Sequence, residues 1–438
     1  VTSNSSTSRS ARERFTFRGN VATSRHGWLR LTPAYSVHLV GELLDGADPA
    51  RGPILDPFCG TGTTLFACAE RGLDCTTIDL NPFLVWFANA KAGTYSVSAI
   101  RDGSRLVADM AHASEARTGD RFVPDIHRID RWWSRSVLEG LGRAFAVLSR
   151  NRTEEPRPGW DLAAIAFCRA LIEVADVSFG HQSMSFRSAR GASAKHHRRG
   201  GARRVAVALE EAFGVVTETA SVDPAGGRRR VLLGDSRDVP RLIGRDRFGT
   251  VITSPPYSNR MSYIRELRPY MYWLGYLVER RDAGELDWRA IGGTWGAATS
   301  RLSAWKPDPG VEVPYPGLRR IVERISRRAP VLGSYVHRYF EDMARHTQGL
   351  ARVLAPGARV HYVVGNSKFY DVLLPAEEVF VALFQAAGLE NARVTRLRKR
   401  TSKVELYEFL VEADAPRVLP RRGSRRREHA EGRDAPAP

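Results

Sequence analysis

The run Pro53-Ile54-Leu55-Asp56-Pro57-Phe58-Cys59-Gly60-Thr61-Gly62-Thr63-Thr64-Leu65-Phe66-Ala67-Cys68-Ala69 decides the fold. Ile54-Leu55 reads as a short apolar strand that ends in an acid, and a Gly-x-Gly turn leads straight into an apolar helix. Glycines at that turn let the backbone approach a ligand closely, and the first amides of the helix point at whatever lies there. Further on, Cys75-Thr76-Thr77-Ile78-Asp79-Leu80-Asn81-Pro82 reads as a second strand that also ends in an acid. In nucleotide-binding sheets an acid at that place holds ribose hydroxyls. The same Asp79 would also serve as the N-cap of a helix opening at Asn81-Pro82. The pattern predicts an α/β chain with a mostly parallel sheet.

Working outward, strand character returns at Arg230-Val231-Leu232-Leu233-Gly234-Asp235-Ser236 and at Thr250-Val251-Ile252. The second of these runs directly into Thr253-Ser254-Pro255-Pro256-Tyr257. Two prolines after a strand end neither extend a sheet nor open a helix normally, so the chain turns sharply there. Such a turn holds its carbonyls rigidly and offers the ring of Tyr257, which suits a flat, amino-bearing ring; the plainer alternative is a loop that merely stops a strand. A helix over Tyr335 to Leu354, a strand within Pro356 to Asn366, and a closing hairpin from Ala392–Leu397 and Val404–Val411 complete the pattern. Upstream, Thr32-Pro33 is a helix start, followed by Leu39, Val40, Leu43 and Leu44 at helical spacing.

The middle of the chain breaks this alternation. From 101 to 226 the apolar positions Val137, Leu138, Leu141 and Phe145, then Leu162, Ile165, Leu171 and Ile172, repeat at helical spacing, so a helical insertion is expected. Within it Arg187, Arg190, Lys195, Arg198, Arg199, Arg203 and Arg204 are interleaved with Gly and Ser and carry no acids between them. A charge run is ordinarily a solvated face; at this density we read a phosphate-contacting, nucleic-acid-binding loop. His196-His197 lacks partners at ligand spacing, so no metal site is expected. Trp132-Trp133 reads as core rather than as a base-stacking platform. A loop-rich insertion is expected at 258–345, and disordered arms at 1–20 and 414–438.

The 438 residues carry 66 Lys and Arg against 48 Asp and Glu, a formal charge of +18 that favours a polyanionic partner. Arginine far outnumbers lysine, which with abundant Ala, Gly and Pro reads as a high-GC coding bias and is not by itself a phosphate-binding feature; the initial Val fits a non-standard start codon and so a bacterial gene. Four cysteines without paired spacing, and no apolar run of membrane length, are expected of a cytoplasmic protein with reduced thiols.

Asp56 to Thr64 resembles the cofactor loop of the DNA amino-methyltransferases that use S-adenosylmethionine, and Thr253 to Tyr257 resembles their catalytic loop. Trp28 to Leu44 is similar to the motif preceding the cofactor loop. Ile78 to Pro82 and Leu233 to Ser236 are similar to the acidic motifs for ribose and adenine, and Leu354 to Gly357 to the fifth-strand motif. The resemblance covers 21–100 and 227–413, which it makes the two parts of a Rossmann-like class I methyltransferase core with a C-terminal antiparallel hairpin. It implies that S-adenosyl-L-methionine is held by Thr32, Asp56, Pro57, Phe58, Gly60, Gly62, Thr63, Thr64, Asp79, Leu80, Asp235 and Ser236. It implies that Ser254, Pro255, Pro256 and Tyr257 carry the catalysis on a base flipped out of DNA.

Ser before Pro-Pro is commonest among cytosine-N4 enzymes, so site-specific cytosine-N4 methylation is the first reading. Adenine-N6 methylation, an RNA amino-methyltransferase and a non-catalytic nucleic-acid-binding scaffold are the alternatives. The motif order is similar to the gamma arrangement, in which a recognition domain usually follows the sheet; here recognition is expected from 101–226 and 258–345. A cognate restriction endonuclease is the protein partner that the resemblance implies.

Overall fold

The computed structural model describes residues 24–29, 35–155, 157–178, 185–186, 200–259, 262–400 and 405–417. The expected arm at 1–20, Thr32, Arg187, Arg190, Lys195, Arg198, Arg199 and the tail from 418 lie outside the described residues.

In chain order the elements begin with α1 (Val37–Asp45), β1 (Ile54–Asp56), α2 (Thr63–Ala69), β2 (Cys75–Asp79) and α3 (Pro82–Ala92). Helices α4 (Val97–Glu115), α5 (Arg135–Arg150) and α6 (Pro158–Glu173) follow, then the two-residue strands β3 (Val177–Ser178) and β4 (Ser185–Phe186), and α7 (Gly201–Ala220). The sheet resumes with β5 (Arg229–Leu233), α8 (Val239–Ile243) and β6 (Phe248–Thr253). Next come α9 (Tyr263–Trp273), α10 (Asp282–Arg289), α11 (Ala297–Ala304), α12 (Leu318–Ser326) and α13 (Pro330–Ala351). The chain closes with β7 (Leu354–Gly365), β8 (Ser367–Phe369), β9 (Val372–Leu374), α14 (Ala376–Ala386), β10 (Glu390–Lys399) and β11 (Tyr407–Asp414). Where the sequence pattern predicted a loop-rich stretch at 258–345, α9 to α12 form, together with most of α13. Their Gly and Pro residues fall largely between short helices.

The seven-stranded sheet runs β10-β11-β7-β6-β1-β2-β5. Pairing is parallel from β5 through β7, and β11 alone runs opposite to its neighbours. This is a Rossmann-like α/β order with a terminal antiparallel hairpin, the arrangement expected above for a class I methyltransferase core. From β1 the chain moves outward through β2 to β5, then crosses back to place β6 on the other side of β1. The carboxyl ends of β1 and β6 therefore flank a switch point, where open α/β sheets leave a crevice. Burial explains the unbroken apolar reading of the central strands: every residue of β1 and β6 is buried.

Helices α4 to α7 pack together around α6, which is buried on nearly all sides from Leu162 to Leu171. Their core does not stop at the bundle. Trp273 at the end of α9 is fully buried and meets Trp133, Phe145 and Phe167 with ring centroids 5.9, 5.7 and 5.6 Å away. Trp132 and Trp133 are core residues, 1% and 0% exposed. The bundle and the helix that follows the Pro-Pro loop thus share one apolar cluster. The four cysteines are buried and unpaired. Among the described residues no helix is long and apolar enough to cross a membrane.

Candidate active site

The two loops read from the sequence meet at the switch point. Asp56 ends β1 and is fully buried; its Oδ1 accepts from Thr253 Oγ1 at 2.6 Å and from the Phe58 amide at 3.1 Å. Burial pushes its carboxyl up to about 6 against those hydrogen bonds. The two residues stand 197 apart in the chain, so this bond ties the first loop to the root of the second.

The glycine loop is held from behind. Gly62 caps α2 in the left-handed region, φ 68°, with the Ala88 side chain close beneath it; a Cβ there would meet Ala88 Cβ at 3.0 Å. Lys91 is buried and donates from Nζ to the Thr61 carbonyl at 2.7 Å. Burial lowers its pKa to about 7. Thr64 donates to the Ile252 carbonyl at 3.3 Å and contacts the Tyr35 hydroxyl. Asp56, Gly62 and Thr64 therefore shape the loop, while Pro57, Phe58, Gly60 and Thr63 line the cleft.

Asp79 borders the same cleft at the end of β2. Its Oδ2 accepts the Gly60 amide and its Oδ1 the Asn81 amide, each at 2.8 Å. The cap of α3 is Asn81, whose Oδ1 accepts from the Phe83 amide at 3.0 Å, so the capping role open to Asp79 falls to its neighbour. Burial raises the Asp79 carboxyl to about 7. Asp235 and Ser236 sit across the cleft after β5. A fork from Arg237 holds Asp235, Nε to Oδ1 at 3.0 Å and Nη2 to Oδ2 at 2.5 Å, while Arg237 also reaches Asp342 at 2.7 Å. Asp235 stays below its usual range because these bonds outweigh its burial. Ser236 donates its hydroxyl to the Pro57 carbonyl, so that hydroxyl braces the first loop.

The Pro-Pro loop is latched by groups outside both motifs. Tyr263 Oη accepts the Tyr257 amide at 3.3 Å, and Tyr339 Oη donates to the Pro256 carbonyl at 2.7 Å. Ser254 Oγ donates to the Val363 carbonyl at 3.0 Å. Its one proton thus points away along β7, leaving an oxygen that can only accept. The Pro255 carbonyl has no hydrogen-bond partner among the described residues. Ser254 and Pro256 line the cleft, as does Tyr263. Tyr257 does not: its ring lies against Gly365, where a Cβ would come within 3.0 Å of Cδ2, and 5.0 Å from the Arg400 guanidinium.

The rest of the wall comes from a segment without a motif. Ile264, Glu266 and Leu267 of α9, with Asp287 and Arg289 to Gly293 around the end of α10, complete the cleft, which encloses about 1190 Å³ of non-protein space, part of it open to solvent. Buried Asp287 ties these pieces together, accepting from Ser262 Oγ at 2.5 Å and from the Trp295 amide at 2.7 Å. Helical spacing of Ile264 and Leu267 was visible in the sequence, but nothing there aimed them at the glycine loop. Four carboxylates, those of Asp79, Asp235, Glu266 and Asp287, border the cleft against the single guanidinium of Arg289. Arg203 and Arg204 lie on α7, and Arg203 pairs with Glu115 at 3.2 Å. Among the described residues no cluster of His, Cys, Asp or Glu is arranged to hold a metal ion.

No protein-family model matches the chain. It is 34% identical over 73 residues to the Type II methyltransferase M.AvaI of Nostoc sp., covering 16% of this chain and 15% of that protein. It is 30% identical over 80 residues to the Type II methyltransferase M.MjaII of Methanocaldococcus jannaschii (17% and 14%) and 29% identical over 108 residues to M.MvaI of Kocuria varians (23% of each). The chain thus spans less than a quarter of the length of these curated relatives. The solved rRNA methyltransferase AviRa of Streptomyces viridochromogenes aligns with 87% of this chain and 86% of its own at 12% identity, with a TM-score of 0.26 that is too low to bear on the fold. The sheet order and the two loops joined at its switch point stand beside these local likenesses to Type II methyltransferases, each of which covers less than a quarter of the chain.

Proposed function

We propose that the chain transfers the methyl group of S-adenosylmethionine to the exocyclic amino group of a base in DNA, cytosine N4 being the first candidate. The observation that carries this reading is that Ser254 and Pro256 share one cleft with Phe58, Gly60, Asp79 and Asp235. When bound, the cofactor supplies an electrophilic methyl on a sulfonium. The donor set fits such a group. Asp79 would take the ribose hydroxyls and Asp235 the adenine amino edge, both bordering the cleft. Leu80, Ile78, Phe58 and Ile291 offer apolar faces for the ring, and the excess of carboxylates suits a ligand bearing a sulfonium cation.

A base amino nitrogen is a weak nucleophile because its lone pair is delocalised into the ring. Ser254 Oγ, with its proton committed to Val363, and the Pro255 carbonyl are acceptors for the two amino hydrogens. Accepting both draws the nitrogen towards tetrahedral geometry and frees its lone pair. The acceptors are held rigidly by the prolines and by the Tyr263 and Tyr339 latches, so positioning and preorganised polarity account for the rate. Tyr263, on the cleft wall, supplies an aromatic face beside the loop.

Incubation with DNA or RNA and isotopically labelled S-adenosylmethionine, followed by nucleoside mass spectrometry, tests the reading. Labelled N4-methylcytosine in DNA is expected. Labelled N6-methyladenine would move the acceptor base, label in RNA alone would move the substrate, and no label in either would overturn methyl transfer.

A further inference from the structure

We propose that the exposed arginine face of α12, together with the tip of the β8–β9 hairpin, docks the DNA backbone beside the acceptor loop. This rests on the methyl-transfer reading above. Neither element belongs to a motif of the core, and neither is part of the basic run at 187–204.

The position follows from the chain path. β7 ends at Gly365, against which the Tyr257 ring packs. The chain then forms β8, turns and returns as β9, with Tyr370 at the turn. Five residues span at most about 18 Å, so the Tyr370 backbone is held within that distance of the acceptor loop's support, well inside one duplex turn of about 34 Å. Tyr370 itself is unusual: a bulky residue at φ 57°, 55% exposed, where burial supplies no reason for an aromatic ring.

The partner's chemistry follows from charge. Leu318 and Ile325 turn the apolar side of α12 inward, and Arg319, Arg320, Arg324, Arg327 and Arg328 are exposed on and just beyond the helix. Only Glu323 opposes them on the helix, and Asp371 from the hairpin. Asp371 draws two guanidiniums to the tip, with Arg328 Nη1 at 2.8 Å and Arg324 Nη2 at 3.9 Å, and the Arg328 guanidinium lies 5.5 Å from the Tyr370 ring centroid. Arg319 pairs with Glu323 at 3.0 Å, whereas Arg320 and Arg327 have no carboxylate partner among the described residues. An exposed face kept for solubility mixes both signs, and exposed ion pairs contribute little stability. A row of guanidiniums next to an exposed aromatic ring instead suits phosphates, which the arginine fork grips in pairs of hydrogen bonds.

The test uses the full chain and a short DNA duplex of random sequence, with binding followed by fluorescence anisotropy over a series of salt concentrations. The double variant Arg320→Ala/Arg327→Ala should lower the slope of log affinity against log salt by about 1.8, at about 0.9 per lost phosphate contact. Tyr370→Ala should weaken binding with the slope unchanged. Calorimetry should give unchanged cofactor affinity for both, since none of these side chains lines the cleft. If the wild type methylates and binds DNA while the double variant keeps its full slope, this inference fails and the functional reading stands. A slope that drops only in Arg203→Ala/Arg204→Ala moves the contact to the bundle and overturns it equally. A wild-type chain that binds no DNA overturns both.

Discussion

If Asp79 holds the ribose as proposed, the affinity for S-adenosylmethionine should depend on pH. Its carboxyl stands at about 7 because burial outweighs the hydrogen bonds from the Asn81 and Gly60 amides. In that reading ribose hydroxyls would donate to the carboxylate, and the neutral acid would add a proton of its own that competes. Binding therefore selects the ionised form, and the apparent dissociation constant grows as pH falls below the pKa of the free chain. With that pKa about 7, moving from pH 8 to pH 6 weakens binding about tenfold, one pKa unit corresponding to about 1.4 kcal/mol.

The assay is titration calorimetry with S-adenosylmethionine across this range, wild type beside Asp79→Asn. The ligand's own amine titrates near the top of the window, but equally for both proteins, so their ratio isolates the carboxylate. The variant should bind more weakly at pH 8 and lose most of the dependence. Identical pH profiles would refute the placement of Asp79 on the ribose. For folding of the ligand-free chain the sign is reversed. The folded value exceeds the ordinary 3.8, so the native state holds the proton more tightly. The contribution of Asp79 to stability is fully present below about pH 4 and is lost as pH rises to about 7.

Ser254→Ala should lower single-turnover methyl transfer by about 10²–10³-fold, as removal of one preorganised polar group does elsewhere, with cofactor affinity unchanged by calorimetry; undiminished transfer would remove the acceptor role. Tyr257→Ala should lower turnover too, measured in the same assay, by loosening the loop against Gly365 and Arg400. Trp273→Ala should destabilise the protein by about 3–5 kcal/mol in denaturant melts followed by circular dichroism. It should do so in a single transition, because the bundle and α9 share its core; a separate loss of the bundle would contradict that.

Much of the candidate site was legible because it is local. A left-handed backbone position such as that of Gly62 shows in the sequence as a glycine, and Pro255-Pro256 break the chain wherever the strand before them lies. The helix itself, α1, begins at Val37 behind Ser36, and the helix start expected at Thr32-Pro33 lies outside the described residues. Asp79 shows the intermediate case. Its place at a strand end is local, but whether it caps the next helix depends on its neighbour, and Asn81 takes that cap. Tyr339, Lys91 and Asp287 carry no pattern that announces them, since each acts on a segment 25 to 83 residues away in the chain, and Tyr263, only six residues from Tyr257, carries none either.

The sequence by itself determined the strand-loop-helix units, the Gly-x-Gly turn and the rigid Pro-Pro loop, since backbone sterics over a few residues dictate them. Only the tertiary structure decided that β6 lies beside β1, that Thr253 bonds Asp56 across 197 residues, and that the Ser254 proton is turned away from the cleft. Those outcomes depend on which strands pair and which helices cover them. Strand order and coverage are set by the burial of the whole core, a sum over distant residues that no short stretch contains.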